Sequence, residues 1–113
     1  MVLATTTDAV FHALANPVRR KVLERLAARP ATVSELAEPF GMRLPSFVQH
    51  LAVLERSRLV KSTKRGRVRT YEIAPERLDV VDDWLAARRR TWEARLDRFD
   101  AYVTSLKHKD SAP

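Results

Sequence analysis

A chain of 113 residues has room for one hydrophobic core and is short for two. Its 45% hydrophobic and 31% charged residues suit a soluble globular domain; the lack of cysteine excludes disulfides, thiolate metal sites and cysteine nucleophiles, and no apolar run approaches the roughly 18 residues of a membrane span. With 21 Lys and Arg against 14 Asp and Glu the formal net charge is +7, which favours a polyanionic partner because each phosphate contact releases condensed counterions.

Met1-Val2-Leu3-Ala4-Thr5 has no basic region followed by an apolar run, so no secretory signal is expected and the cytoplasm is the expected location. A first short helix fits residues 7–15, with Thr6 or Thr7 as cap and Val10, Phe11 and Leu14 on one face. Asn16-Pro17 opens the next, since Asn caps well and Pro17 needs no N–H at the first helical position. Val18, Val22, Leu23 and Leu26 then recur at helical spacing until Arg29-Pro30. Thr32 with Glu35 three residues on is a capping-box pattern for a third helix, which Pro39 and Gly41 end. A short Gly-containing connection leads to a fourth helix over residues 44–56, the spacing of a helix-turn-helix. There Leu44, Phe47, Leu51 and Leu54 form a core stripe.

After Ser57-Arg58 the period changes to strands, residues 59–63 and 68–73, rich in β-branched side chains. Lys64-Arg65-Gly66-Arg67 is the hairpin turn between them, with Gly66 free to take positive φ. Lys61, Lys64, Arg65, Arg67 and Arg69 crowd around that turn with no acid among them. Pro75 opens a long last helix to about residue 107, and residues 107–113 read as a frayed polar tail.

Several stretches resemble the ArsR-type family of winged-helix repressors. Ala15-Asn16-Pro17-Val18-Arg19-Arg20-Lys21-Val22-Leu23 is similar to its opening signature, and Val33-Ser34-Glu35-Leu36-Ala37 to the first helix of its pair. Leu44-Pro45-Ser46-Phe47-Val48-Gln49-His50-Leu51-Ala52-Val53-Leu54-Glu55 resembles its recognition helix, and Leu59-Val60, Gly66-Arg67 and Tyr71 its wing. The expected fold is mainly α with a small β-hairpin: a winged helix-turn-helix domain with a long C-terminal dimerisation helix. One domain over residues 1–113 would hold the helix-turn-helix at 32–56, the wing at 59–74 and the dimerisation helix at 75–107. The resemblance implies a sequence-specific regulator of double-stranded DNA, a homodimeric repressor on a palindromic operator. A winged-helix interaction module without sequence-specific readout is the alternative, kept open by the uncharged pair Val48 and Gln49.

With the core stripe inward, Pro45, Ser46, Val48 and Gln49 turn outward near the start of the helix, where base contacts are made. Gln49 suits adenine, Arg43 guanine or a phosphate, and Val48 only an apolar contact such as a thymine methyl. The family often has Ser and a basic residue where this chain has Val48 and Gln49, so the operator sequence is not implied. His50, between the outer face and the stripe, is expected near DNA. Lys64, Arg65 and Arg67 are expected to clamp phosphates, against the plainer reading of a charged hairpin that resists edge pairing.

Leu78, Leu85, Trp92, Phe99 and Leu106 are each seven residues from the next, with Val81, Leu96, Tyr102 and Val103 beside them. Such a repeat gives one apolar edge suited to a second copy. The expected split is Leu78 to Leu85 within the chain and Trp92, Leu96, Phe99, Val103 and Leu106 across the dimer, joined by Val10, Phe11 and Leu14. The run Arg88-Arg89-Arg90 fits ion pairs with Asp82, Asp83, Glu93 or Asp97, DNA contact, or a solvated face.

Family arsenic sites use cysteines where this chain has Glu35-Leu36-Ala37-Glu38-Pro39-Phe40. The last helix has Asp79, Asp82 and Asp83 but no histidine before His108, and His12 is isolated. No metal or other cofactor is expected, a carboxylate-only site for a harder cation being the alternative left open, and no inducer is identified. Without a Gly-rich phosphate loop, or a nucleophile beside a base, an enzyme is not expected either.

Overall fold

Local side-chain caps set where the helices begin. In the computed structural model, which describes residues 5–111 and side chains over 5–108, α1 (Thr6–Leu14) starts where the Thr5 hydroxyl accepts from the Asp8 N–H at 3.0 Å. That is one residue ahead of the expected cap. Asn16 Oδ1 accepts from the N–H groups of Val18 and Arg19 and opens α2 (Pro17–Leu26). Thr32 and Glu35 form the full capping box of α3 (Val33–Ala37), and the hydrogen bonds from Thr32 hold the Glu35 carboxyl below its ordinary pKa. Pro39 then tightens the chain into a 3₁₀ turn (Glu38–Phe40), and Gly41 reverses it at φ 60° before α4 (Leu44–Arg56). The readings of residues 1–4 and 112–113 lie outside the described residues.

A two-residue strand was not expected. β1 (Ala31–Thr32) pairs antiparallel with β3 (Val68–Ile73), which also pairs with β2 (Val60–Arg65), so the sheet order is β1-β3-β2. Arg65 lies opposite Val68, which leaves a turn of Gly66-Arg67 with Gly66 at φ 61°. The hairpin is therefore tighter than the four-residue turn read from the sequence.

The chain divides into two compact units, Met1–Val81 and Asp82–Pro113. In the first, Phe47, Leu51 and Leu54 of α4 are fully buried among Val10 and Ala13 of α1, Val22, Leu23 and Leu26 of α2, Leu36, Leu59, Val60 and Tyr71. Two expectations need correction. Leu44 is 54% exposed, because at the first position of α4 nothing covers the face that the helical period assigns to the core. Val10 is 0% exposed, so it belongs to this unit's own core and has no surface to offer a partner; Phe11 and Leu14, half-buried, keep some. Leu78 and Val81 pack against the same core, as their period suggested.

The helix α5 (Leu78–Ser111) carries the chain into the second unit and runs past the expected end, to Ser111 within the stretch read as a frayed tail. Within this unit Trp92, Leu96, Phe99, Tyr102 and Leu106 are exposed and Val103 is half-buried. The Arg88 guanidinium lies 5.3 Å from the centre of the Trp84 ring, a cation–π contact that accounts for one member of the arginine run.

At the end of α4 the Leu59 N–H donates to the Leu54 carbonyl and the Arg58 N–H to that of Glu55, both at 3.0 Å. These are the paired bonds of a Schellman motif, with Arg58 held at φ 61° in the position that favours glycine. Arg58→Gly should therefore stabilise the fold by about 0.5–1 kcal/mol, read as a higher midpoint in chemical denaturation.

Candidate nucleic-acid interface

Burial of Phe47, Leu51 and Leu54 on one side of α4 turns Pro45, Ser46, Val48 and Gln49 to the surface, preceded by exposed Arg43. Residues 43–54 contain no acid, so this face presents hydroxyl, amide, apolar and cationic groups without a carboxylate to repel phosphate. The outward set expected from the period is exposed, and Leu44 is exposed with it.

His50 faces the other way. Its Nδ1 lies 3.1 Å from Nη1 of Arg19, on α2, and a guanidinium can only donate, so Nδ1 accepts and the ring proton resides on Nε2. Arg19 is only 8% exposed, and its other two nitrogens are also engaged: Nε to the Ala13 carbonyl at 2.8 Å and Nη2 to the His12 carbonyl at 2.9 Å. These carbonyls belong to the last turn of α1, where backbone acceptors lack intrahelical partners. His50, expected near DNA, thus also makes an internal contact, a tie between α4 and the end of α1. The sequence carried no sign of it beyond Arg19 lying in the opening motif, because the two residues are 31 apart in the chain.

The five hairpin cations separate into two groups. Lys61 pairs with Glu72 directly across the strands at 3.6 Å. Arg69 donates to the Ser62 hydroxyl at 2.7 Å, which donates to the Glu55 carboxylate at 2.7 Å, so this chain of bonds fastens the hairpin to α4. Lys64, Arg65 and Arg67 are exposed, with no side-chain ion pair or hydrogen bond among the described residues. They are the three named from sequence as clamps.

Among the described residues, no group of three His, Cys, Asp or Glu comes together in a way that could hold a metal ion, and no helix is long and apolar enough to cross a membrane.

Burial first, and the Arg19 charge second, lower the His50 pKa from its ordinary 6.5. The unfolded chain then binds this proton more readily than the folded one. The stability that the neutral ring contributes is present above about pH 6.5 and is lost as pH falls through the lower folded value. His50→Asn, which keeps an acceptor without titrating, should flatten the fall in denaturation midpoint between pH 7 and pH 5.

A family model described as a helix-turn-helix domain matches residues 14–63. The HTH-type transcriptional regulator Rv2034 of Mycobacterium tuberculosis is 41% identical over 68 residues; the match takes in 60% of this chain and 64% of that protein, so the chain spans less than two thirds of this relative's length. The crystal structure of the ArsR family transcriptional regulator RHA00566 aligns with a TM-score of 0.76 at 50% identity, over 78% of this chain and 91% of that one. The solution structure of the homodimeric winged helix-turn-helix DNA-binding domain Mb0332 of Mycobacterium bovis, a possible ArsR-family regulator, aligns with a TM-score of 0.59 at 29% identity, over 82% and 83% of the two chains. Four helices that include a helix-turn-helix, a basic hairpin and a long last helix make up this chain, and with these likenesses it belongs to the ArsR-type family of winged helix-turn-helix transcriptional regulators.

Proposed function

We propose that the chain is a cytoplasmic, homodimeric repressor that binds a palindromic site in double-stranded DNA. The observation that carries this reading is the acid-free outer face of α4 in the same unit as three cations with no side-chain partner among the described residues. Ser46 and Gln49 are the base readers, since Gln can make a bidentate pair with adenine in the major groove. Arg43 contacts a base or phosphate at the start of the helix, where Pro45 shapes the approach. Lys64, Arg65 and Arg67 hold the backbone and fix the register. His50 contributes through Arg19 rather than by direct contact.

The dimer reading rests on the second unit. Trp92, Leu96, Phe99, Val103 and Leu106 follow one another at alternating steps of four and three, the spacing of a coiled-coil seam, and four of the five are exposed in the single chain. Phe11 and Leu14, in the first unit, are proposed as further dimer contacts. The Mycobacterium bovis relative being homodimeric supports the same assembly here. Two copies would then place their α4 helices on half-sites about one helical turn, roughly 34 Å, apart. Occupancy alone would block other proteins from that stretch of DNA, and the sequence and fold assign no inducer.

Affinity for duplex DNA should fall linearly on a log–log plot against salt in a fluorescence titration. Arg65→Ala or Arg67→Ala should weaken all sequences alike and reduce the slope by about one, whereas Gln49→Ala should cost about 1–3 kcal/mol and relax preference at one base position. Absence of any binding to random duplex at low salt would favour a protein-interaction module instead. Sedimentation should give a dimer at micromolar concentration, and Phe99→Asp should shift it to monomer without unfolding the first unit; a wild-type monomer would contradict the seam.

A further inference from the structure

We infer that Leu44 and Val48 form an apolar edge of α4 that reads the C5-methyl groups of thymines in the operator. This rests on the DNA-binding reading and adds to it the identity of bases on one side of the helix. Leu44 is 54% exposed and Val48 is 40% exposed, although both are large apolar side chains in a helix with a well-filled core stripe. They are four residues apart, and at roughly 100° per residue their directions differ by only about 40°. Gln49 points about 100° further round and Ser46 about 160°, with exposed Pro45 between Val48 and Gln49, so the apolar edge gives way to two polar side chains.

The chemistry of the major groove leaves this edge one matching feature. Base edges there present hydrogen-bond donors and acceptors, except for the C5-methyl group of thymine. Leu44 and Val48 have no side-chain donor or acceptor, and contact with a polar base edge would strip it of water without replacing its bonds. Their place in the first turn and a half of α4 is where a helix laid in the groove meets base edges. The basic, acid-free surroundings of residues 43–54 match DNA rather than an apolar protein surface. Two side chains also make far too small a patch for a stable contact between copies, which needs about 800 Å² from each partner.

An operator is first selected from a random duplex pool, and its thymines are then replaced one at a time by deoxyuridine. Deoxyuridine lacks the C5-methyl group and keeps the pairing edge. Wild-type affinity should drop about three- to fourfold for each contacted methyl. Leu44→Ala and Val48→Ala should bind the thymine operator more weakly and lose the discrimination, each at its own positions. Both residues are exposed, so their denaturation midpoints should not change, and the wild-type comparison decides the matter even if a variant misfolds. Equal wild-type affinity for thymine and deoxyuridine duplexes overturns the inference while leaving the DNA-binding reading intact. Failure to select any sequence over random duplex overturns the DNA-binding reading itself.

Discussion

The orientation of α4 is the constraint on which the rest depends. Phe47, Leu51 and Leu54 are removed from water completely, each burial contributing about 1.5–3 kcal/mol before entropy is counted. Rolling the helix by one residue, about 100°, would turn all three away from the core and in one direction bring the Ser46 hydroxyl toward it, so one rotational setting is strongly preferred. Everything proposed for the outer face follows from that setting. The groups available to a ligand are those left over once three apolar residues have chosen their side.

The hairpin is subordinate to the same helix. Glu55, Ser62 and Arg69 form a continuous line of hydrogen bonds from the end of α4 into both long strands. The Schellman turn at Arg58 sets the direction in which the chain leaves α4 for β2. In this arrangement two of the five hairpin cations serve architecture, and three near the tip stay free. A count of basic residues overstates the charge available to phosphate, because a cation already paired with Glu72 or bound to Ser62 has less to gain from it.

Much of this was legible in the sequence where the chemistry is local. The Asn16 cap, the capping box at Thr32 and the limits of α4 are decided within a few residues, and the structure places them as read. What was not legible depends on partners distant in the chain. β1 is two residues long and shows no period of its own; it is a strand only because Tyr71 and Thr70 of β3 lie opposite. The period of α4 gave the direction of Leu44 but not whether anything covers it. Phe11 and Leu14 are half-buried, whereas Val10 on the same helix, read with them as one face, is enclosed. Arg19 is the sharpest omission among the candidate site residues. A charged residue in a helix reads as solvated, and only the meeting of two helix termini reveals a guanidinium with every edge in use.

That guanidinium has a consequence for how the first unit moves. Arg19 holds two carbonyls at the end of α1 and a ring nitrogen on α4 with one rigid, planar group. Neither helix can shift along its axis without breaking bonds that the other also uses, and a broken bond here leaves a buried polar atom unsatisfied. The two helices therefore open as one cooperative block rather than fraying separately. Their amide protons should exchange with solvent at a common free energy, although the end of a nine-residue helix such as α1 would ordinarily be among the first parts of a fold to loosen.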